Sequence, residues 1–509
     1  MHDITAYGAT TNTDSTRAIE AAVSAATHSS GTVLIPAGLF LARSFALASG
    51  VTLEVNGTLR GLADEDVLSS WPVLPPLLTY GRDRDRAKPG RYRALVFADG
   101  VRNIAIRGRG VIEGSGPWWW ERRRTLRYGR PHLIEIANSS HIRIHGGLTL
   151  RDSGFWTVHL VYSQHVHVHD VTIRAPLYAP NTDGINPDSS RDVLIERCDI
   201  SAPRRATLAS LSPPHHENTQ VSCRTHVSAH GLEHTHTHTL SPACRNKHKH
   251  TSLCTPRAGC GDDHIAIKSG LSAAARDGFP TYLTEGVTIR HNTLRAGMGI
   301  SIGSETSGGI RNVSVYANTF IGEGWSVALH VKSAAQRGRF VEDVTFADNE
   351  VYNTTGFMRI DTFGRSKLVD RSYAPTALRR IAWLRNRFTG PRDKRIRSKF
   401  RCPAGAACSD ITVVNNTHDS AAGKATWQCE GISSSVVGGN SPGGLESCMR
   451  RRPKEKKGAR QGEGRRKRRA GKHRERKAKG SASGRRHKRY RQFDWRTQMA
   501  SWKQEDTEK

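Results

Sequence analysis

The chain has 509 residues, 36% of them hydrophobic and 48 of them glycine, which is enough for a large core with many turns. No apolar run approaches the roughly 18 residues of a membrane-spanning helix, so insertion into a bilayer is not expected. The formal charge of +31 is uneven: residues 450–509 carry +18 and residues 203–260 carry +5, leaving +8 on the rest. That remainder suits an acidic polymer as well as it suits nucleic acid.

His2, Asp3 and Ile4 follow Met1 directly, with no basic and apolar leader, so the chain as given shows no signal peptide. Asp14 can cap a short helix whose apolar face is Ile19, Ala22, Val23 and Ala26. Strands dominate thereafter. Two large apolar residues flanking one other residue recur as Ile104/Ile106, Ile142/Ile144, Val166/Val168, Val193/Ile195, Val287/Ile289, Val313/Val315, Val344/Phe346, Ile381/Trp383 and Ile411/Val413. Most successive units lie 24 to 38 residues apart, the spacing of a solenoid. Each unit is too short to bury its own apolar face, whereas stacked coils would pair every strand above and below and merge the inward residues into one core. A β-sandwich, the alternative, would favour hairpin dipeptides between strands, and these are scarce. The expected fold is therefore all-β, a right-handed parallel β-helix with a short N-terminal capping helix.

The rhythm breaks once, because 92 residues separate Ile195 from Val287. The excess is residues 203–260, which hold Cys223, Cys244, Cys254, Cys260 and the His234, His236, His238 alternation but almost no apolar period. Zinc binding is the sharper reading; the cysteines lack C-x-x-C spacing, and the plainer reading is an unstructured insert or translated non-coding sequence. Residues 449–509 read as a basic tail, with the run Arg465 to Arg469, that could bind nucleic acid or could equally be foreign to the protein. The expected organisation is one β-helix domain over 1–448, interrupted by 203–260, then the tail, acting as a monomer. Cys402 with Cys408, and Cys429 with Cys448, suggest two short disulfide loops of a secreted protein, the alternative being buried free thiols. N-x-S/T triplets begin at Asn56, Asn138, Asn312, Asn353 and Asn415.

Two carboxylate clusters stand out: Asn181-Thr182-Asp183-Gly184 and Gly261-Asp262-Asp263-His264. Removing the 58 residues 203–260 would leave Asp183 and Asp262 only 21 apart, about one short coil, so stacking would bring the carboxylates together. Glycoside hydrolysis needs such a group, one protonated carboxyl for the leaving oxygen and one carboxylate for water or carbon. Crowding of like charge would keep one of them protonated at mildly acidic pH. Taken singly, an Asp beside Gly more often forms a turn.

With these motifs in this order, the chain resembles the polygalacturonases of glycoside hydrolase family 28 over most of residues 1–448. The likeness includes Asp3 to Ala26, Gly31 to Gly38, Gly110 to Gly114 before Trp118, Phe155-Trp156-Thr157-Val158-His159, and Trp427-Gln428-Cys429-Glu430. The resemblance implies an inverting, extracellular or cell-wall hydrolase of pectin without cofactor or metal, with Asp262 as general acid and Asp183 and Asp263 positioning water. Substrate contacts would come from Asn181, Lys332, His330, His159 and Arg337. Two departures touch that site. Met298 in Gly297-Met298-Gly299 stands where the family often has histidine, and His330-Val331-Lys332 stands where it has Arg-Ile-Lys. His330 would supply an arginine's role only in part, and only when protonated, while Lys332 keeps its charge. The competing readings are hydrolysis of another backbone such as rhamnogalacturonan, a calcium-dependent lyase on the same fold, and a non-catalytic pectin or nucleic-acid binder.

Overall fold

The recurring apolar pairs form one continuous stack. In the computed structural model Ile104 lies beside Ile142, then Val166, Val193, Val287, Val313, Val344, Ile381 and Ile411, each in parallel register with the next. The structure describes residues 1–80, 88–202, 262–323, 327–334, 337–364, 374–391, 396–402, 408–419, 425–441 and 443–449. All of these fall within the unit Met1–Pro453. Val193 pairs directly with Val287, so the coils on either side of residues 203–261 are immediate neighbours. The suggested zinc site and the basic tail lie outside the described residues, apart from Met449, which ends the helix Leu445–Met449 and is buried.

Among the described residues three long sheets build the solenoid, one of 13 strands and two of 11, with every strand pairing parallel to its counterpart in the next coil. The chain is a parallel β-helix, as its spacing suggested. The residue before each pair in the first sheet bends the strand through a left-handed conformation: Asn103, His141, His165, Asp192, Asn312, Asp343, Arg380 and Asp410 all have φ between 50° and 58°. That bend turns the pair inward, and each fully buried Val or Ile then contributes about 1.5–3 kcal/mol. The N-terminal helix Thr16–Thr27 buries Ile19, Ala22, Val23 and Ala26 against the first coils. Asp14 binds the Thr16 amide at 2.9 Å but sits one residue outside the cap position, which Ser15 occupies.

One stabilising device was not anticipated. Asn292, Asn318, Asn349, Asn386, Asn416 and Asn440 stack at one corner, each amide donating to the next carbonyl oxygen at 2.9–3.0 Å. The same side chains bond the backbone of neighbouring coils, so buried polar turns are satisfied without water. Both expected disulfides form, Cys402–Cys408 and Cys429–Cys448, and Cys198 is buried and free.

Candidate active site

The outward face of the third sheet carries the chemistry. Asp183 and Asp263 each stand two residues before a strand, Ile185–Asp188 and Ile265–Ile267, and pairing of Ile185 with Ile265 sets them side by side. The Gly184 amide donates to the Asp263 carbonyl at 3.0 Å and the Ile185 amide to that of His264 at 3.1 Å. Gly184 is required here for close approach: a Cβ would lie 2.4 Å from the His264 carbonyl oxygen. One carboxylate oxygen from each of Asp183, Asp262 and Asp263 comes within 4.8 Å of the others. The stacking expected from the sequence thus brings all three together.

Their surroundings differ. Asp263 accepts from Ser301 Oγ at 2.6 Å and from Lys332 Nζ at 2.5 Å. Asp183 pairs with Lys268 Nζ at 3.1 Å through one oxygen, while its other oxygen is buried with no hydrogen-bond partner among the described residues. Asp262 is partly exposed and accepts from the Asn181 amide at 3.3 Å and the Asp263 backbone at 3.1 Å, with no ammonium paired to it among the described residues. Burial, then the charge of Asp262, pushes the Asp183 carboxyl up to about 7 despite Lys268. Burial also raises Asp263, with Lys332 opposing. Three crowded carboxylates therefore retain a proton into the neutral range, and that proton belongs to the cluster rather than to one oxygen. The trio could in principle hold a cation, but the two lysine ammonium groups already occupy that role.

The remaining expected residues are placed as follows. Asn181 bridges Asp262 to Arg130, whose guanidinium donates to its Oδ1 at 2.9 Å. Arg337 donates from Nη1 to the Leu271 carbonyl at 3.5 Å. His159 is fully buried between Glu135 at 3.3 Å and Asp188 at 3.2 Å, so it supports the floor and does not reach a substrate. His330 is 8% exposed, and burial, reinforced by Lys332 and Arg359, holds its pKa well below the ordinary histidine range. It is neutral and cannot stand in for an arginine's charge, though its Nε2 lacks a partner among the described residues. Met298 contributes its backbone amide, 3.3 Å from the Asp262 carbonyl.

Sequence reasoning missed Lys268, which lies 3.4 Å from Glu305 and 4.4 Å over the Trp156 ring as well as on Asp183. It also missed Asn186, buried with both side-chain polar atoms unpartnered among the described residues, and Arg91, whose Nη1 donates to both oxygens of buried Glu135 at 2.7 Å. His132, Glu135 and His159 lie close enough to ligate a metal, but the Arg91 guanidinium already neutralises Glu135. His264 is a structural pin: its Nδ1 accepts from the Gly299 amide at 3.0 Å, and burial lowers its pKa to about 4.

The model of Glycosyl hydrolases family 28 matches residues 27–204 and 247–438. The chain belongs to that family. The break in the match falls inside residues 203–260, the segment that interrupts the repeat. Among relatives of this hydrolase, a Vitis vinifera protein described as a probable polygalacturonase is 31% identical over 414 residues, covering 79% of this chain and 71% of its own length. An endo-polygalacturonase of Pectobacterium carotovorum subsp. carotovorum is 25% identical over 350 residues, covering 65% and 66%. The exopolygalacturonase structure of Thermotoga maritima has a TM-score of 0.62 at 20% identity, covering 86% of this chain and 91% of its own, and confirms the fold. Membership makes the chain a glycoside hydrolase and sets aside the lyase reading.

Proposed function

We propose that this hydrolase cleaves the α-1,4-galacturonosyl bonds of polygalacturonan, the acidic backbone of pectin, outside the cell. The observation that carries the reading is the asymmetry of the three carboxylates. Lys268 and Lys332 sit on Asp183 and Asp263, whereas Asp262 is partly exposed and has no cationic side chain paired to it among the described residues. A carboxyl without a bound cation is the better proton donor to a leaving oxygen. Asp262 is therefore the general acid, and the vacant acceptor position of Asp183 Oδ1, with Asp263 beside it, is where the attacking water binds. Lys332 and Asn181 are placed to meet substrate oxygens. The exposure of Asn56, Asn138, Asn312, Asn353 and Asn415, and the two disulfides, suit a secreted protein.

New reducing ends on polygalacturonate, reduced about 10²–10⁴-fold in Asp262→Asn with the fold intact, are expected. Full activity in that variant would remove Asp262 as the acid. The carboxylates are closer than the roughly 6.5–9.5 Å usual for inversion. Proton NMR of the first product, expected as the β-anomer, tests the inverting outcome that the family implies. Neutral His330, where the family has arginine, favours a second substrate for comparison: rhamnogalacturonan assayed alongside decides between the two backbones.

A further inference from the structure

The outward face of the first sheet is distinct from the carboxylate cluster, which stands before strands of the third. Two neighbouring strands there, Ser140–His145 and Gln164–His169, read His141-Ile142-Arg143-Ile144-His145 and His165-Val166-His167-Val168-His169. Alternation sends Ile142, Ile144, Val166 and Val168 into the core and leaves five histidines and one arginine facing out. Register makes these six a grid, two strands wide and three residues long. Arg143 pairs with His167, the His141 and His165 rings lie 4.9 Å apart, and the His145 and His169 rings stack at 5.0 Å. His141 and Arg143 are exposed and the other four partly so. The grid measures about 13 Å along the strands and about 5 Å across them.

Charged groups surround it. The preceding strand carries Arg102, whose charge reaches His141, and Arg107 beside His145, held by Glu54 at 2.9 Å. The following strand carries Arg191, Asp192 at 3.4 Å from His165, and Glu196 at 3.2 Å from His167. From the turns come Asp170, 2.6 Å from His169, and Arg197, which binds both Asp170 and Glu196. Arg290, one coil further, reaches Glu196 at 2.6 Å. Each of these four carboxylates is thus already engaged, whereas Arg102 and Arg143 have no ion-pair partner among the described residues.

The imidazoles register the imbalance. Burial, then the charges of His165 and Arg102, lowers the pKa of His141. Burial, then His169, Arg143 and Arg107, lowers that of His145, with Asp170 opposing. Burial, then His169, brings His167 down to about 4, with Glu196 opposing. Cations gathered this closely take up protons reluctantly, and an anion laid over them removes the reluctance. Binding and protonation therefore promote each other: a histidine whose pKa rises by one unit in the complex contributes up to about tenfold to affinity at acid pH. A metal ion fits less well, because among the described residues the grid brings no three ligand atoms together, and Arg143 at its centre repels a cation.

We infer that this face is a second binding surface for acidic polysaccharide, outside the cleft, which engages the polymer as its histidines gain protons. The polymer is the polyuronide of the function proposed above, an assignment that rests on that reading: its repeated carboxylates supply the anions the face lacks. A protein held to its polymer here keeps its cleft free to work.

The test measures binding of the full chain carrying Asp262→Asn, which leaves the polymer uncut, to immobilised polygalacturonate, with excess galacturonate trimer present to fill the cleft. Between about pH 7.5 and about pH 5 the affinity is expected to rise at least about tenfold, and the rise to vanish when His141→Gln, His145→Gln and His167→Gln are combined. An equal rise in this triple variant would overturn the inference, since the titrating groups would then lie elsewhere. Arg143→Glu, at the exposed centre, is expected to weaken binding about tenfold at about pH 5. Without the Asp262 change it should hydrolyse trimer as the wild type does, which shows the fold intact; undiminished polymer binding would count against the face. Acid-dependent binding of duplex DNA as strong as that of the polymer, and lost in the same triple variant, would overturn the assignment to polysaccharide. A wild type that binds polygalacturonate in this way but does not hydrolyse it would sink the proposed function and leave the surface standing.

Discussion

The outward row of the third sheet passes through two environments within one solenoid. In the earlier coils Glu135 and His159 are fully buried, and they bond to one another, to Asp188 and to Arg91. In the later coils Lys332, Arg359 and Lys399 keep contact with solvent. The backbone is the same in both; what covers it decides whether a charged side chain acts as scaffold or as ligand. The three carboxylates proposed as catalytic stand at the boundary, where Asp183 is buried and Asp262 is partly exposed. A graded environment of this kind separates the tasks of acid and water-positioning base among chemically identical groups.

The harshest way to break the covered side is Arg91→Ala. It leaves the Glu135 carboxylate buried without its guanidinium, a change that costs about 3–5 kcal/mol where a buried pair loses one member. Denaturant unfolding at neutral pH is the measurement. Burial opposes ionisation of Glu135 but Arg91 and the two histidines outweigh it, so its carboxyl titrates below the ordinary glutamate range. The sign follows: in the wild type this contribution is present above the unfolded-state pKa and is lost as pH falls through the folded-state value. The deficit of the variant should therefore shrink in strong acid.

At the boundary, Lys268→Met sharpens the comparison through pH rather than stability. Hydrolysis needs the cluster with its proton, so wild-type activity should fall as pH rises through about 7, the value to which burial and Asp262 push Asp183. Lys268 opposes that rise; without its ammonium the carboxylates hold their protons more tightly. Both limbs of the activity profile should then move to higher pH, by about one unit or more for loss of a charge within ~4–6 Å. A profile of lower height but unchanged position would mean that Lys268 only packs against Trp156.

How much of this was legible in sequence follows the same division. The apolar pairs gave away the first sheet because inward residues obey a simple period, and the two Asp motifs gave away the carboxylate cluster because stacked coils bring equivalent positions together. The asparagine ladder was also written in the chain, as an asparagine recurring directly after a turn residue in His291-Asn292, Ala317-Asn318, Asp348-Asn349, Arg385-Asn386 and Asn415-Asn416. That period lies at a corner, where a search for apolar alternation does not look. Lys268 was hidden for another reason. It follows Ile265-Ala266-Ile267 as one more polar residue, and only the Trp156 ring from an earlier coil and Glu305 from a later one make it a buried ion. His159 and His330 were assigned to substrate from their places in the motifs of the family resemblance, whereas burial, set by segments far along the chain, encloses the first and removes the charge from the second.

The smallest expected effect belongs to the open side. Arg359 donates to Asp361 at 3.2 Å through Nε, two residues along the same strand, with side chains 30% and 17% exposed. Arg359→Ala should cost only about 0–1 kcal/mol, because a solvent-screened pair gains little over hydration and costs side-chain entropy to hold. Against the several kcal/mol expected at Arg91, this is a direct measure of how much burial of the carboxylate partner changes the worth of an arginine on one sheet face. A loss at Arg359 equal to that at Arg91 would show the later coils to be as closed as the earlier ones. The row would then be scaffold throughout.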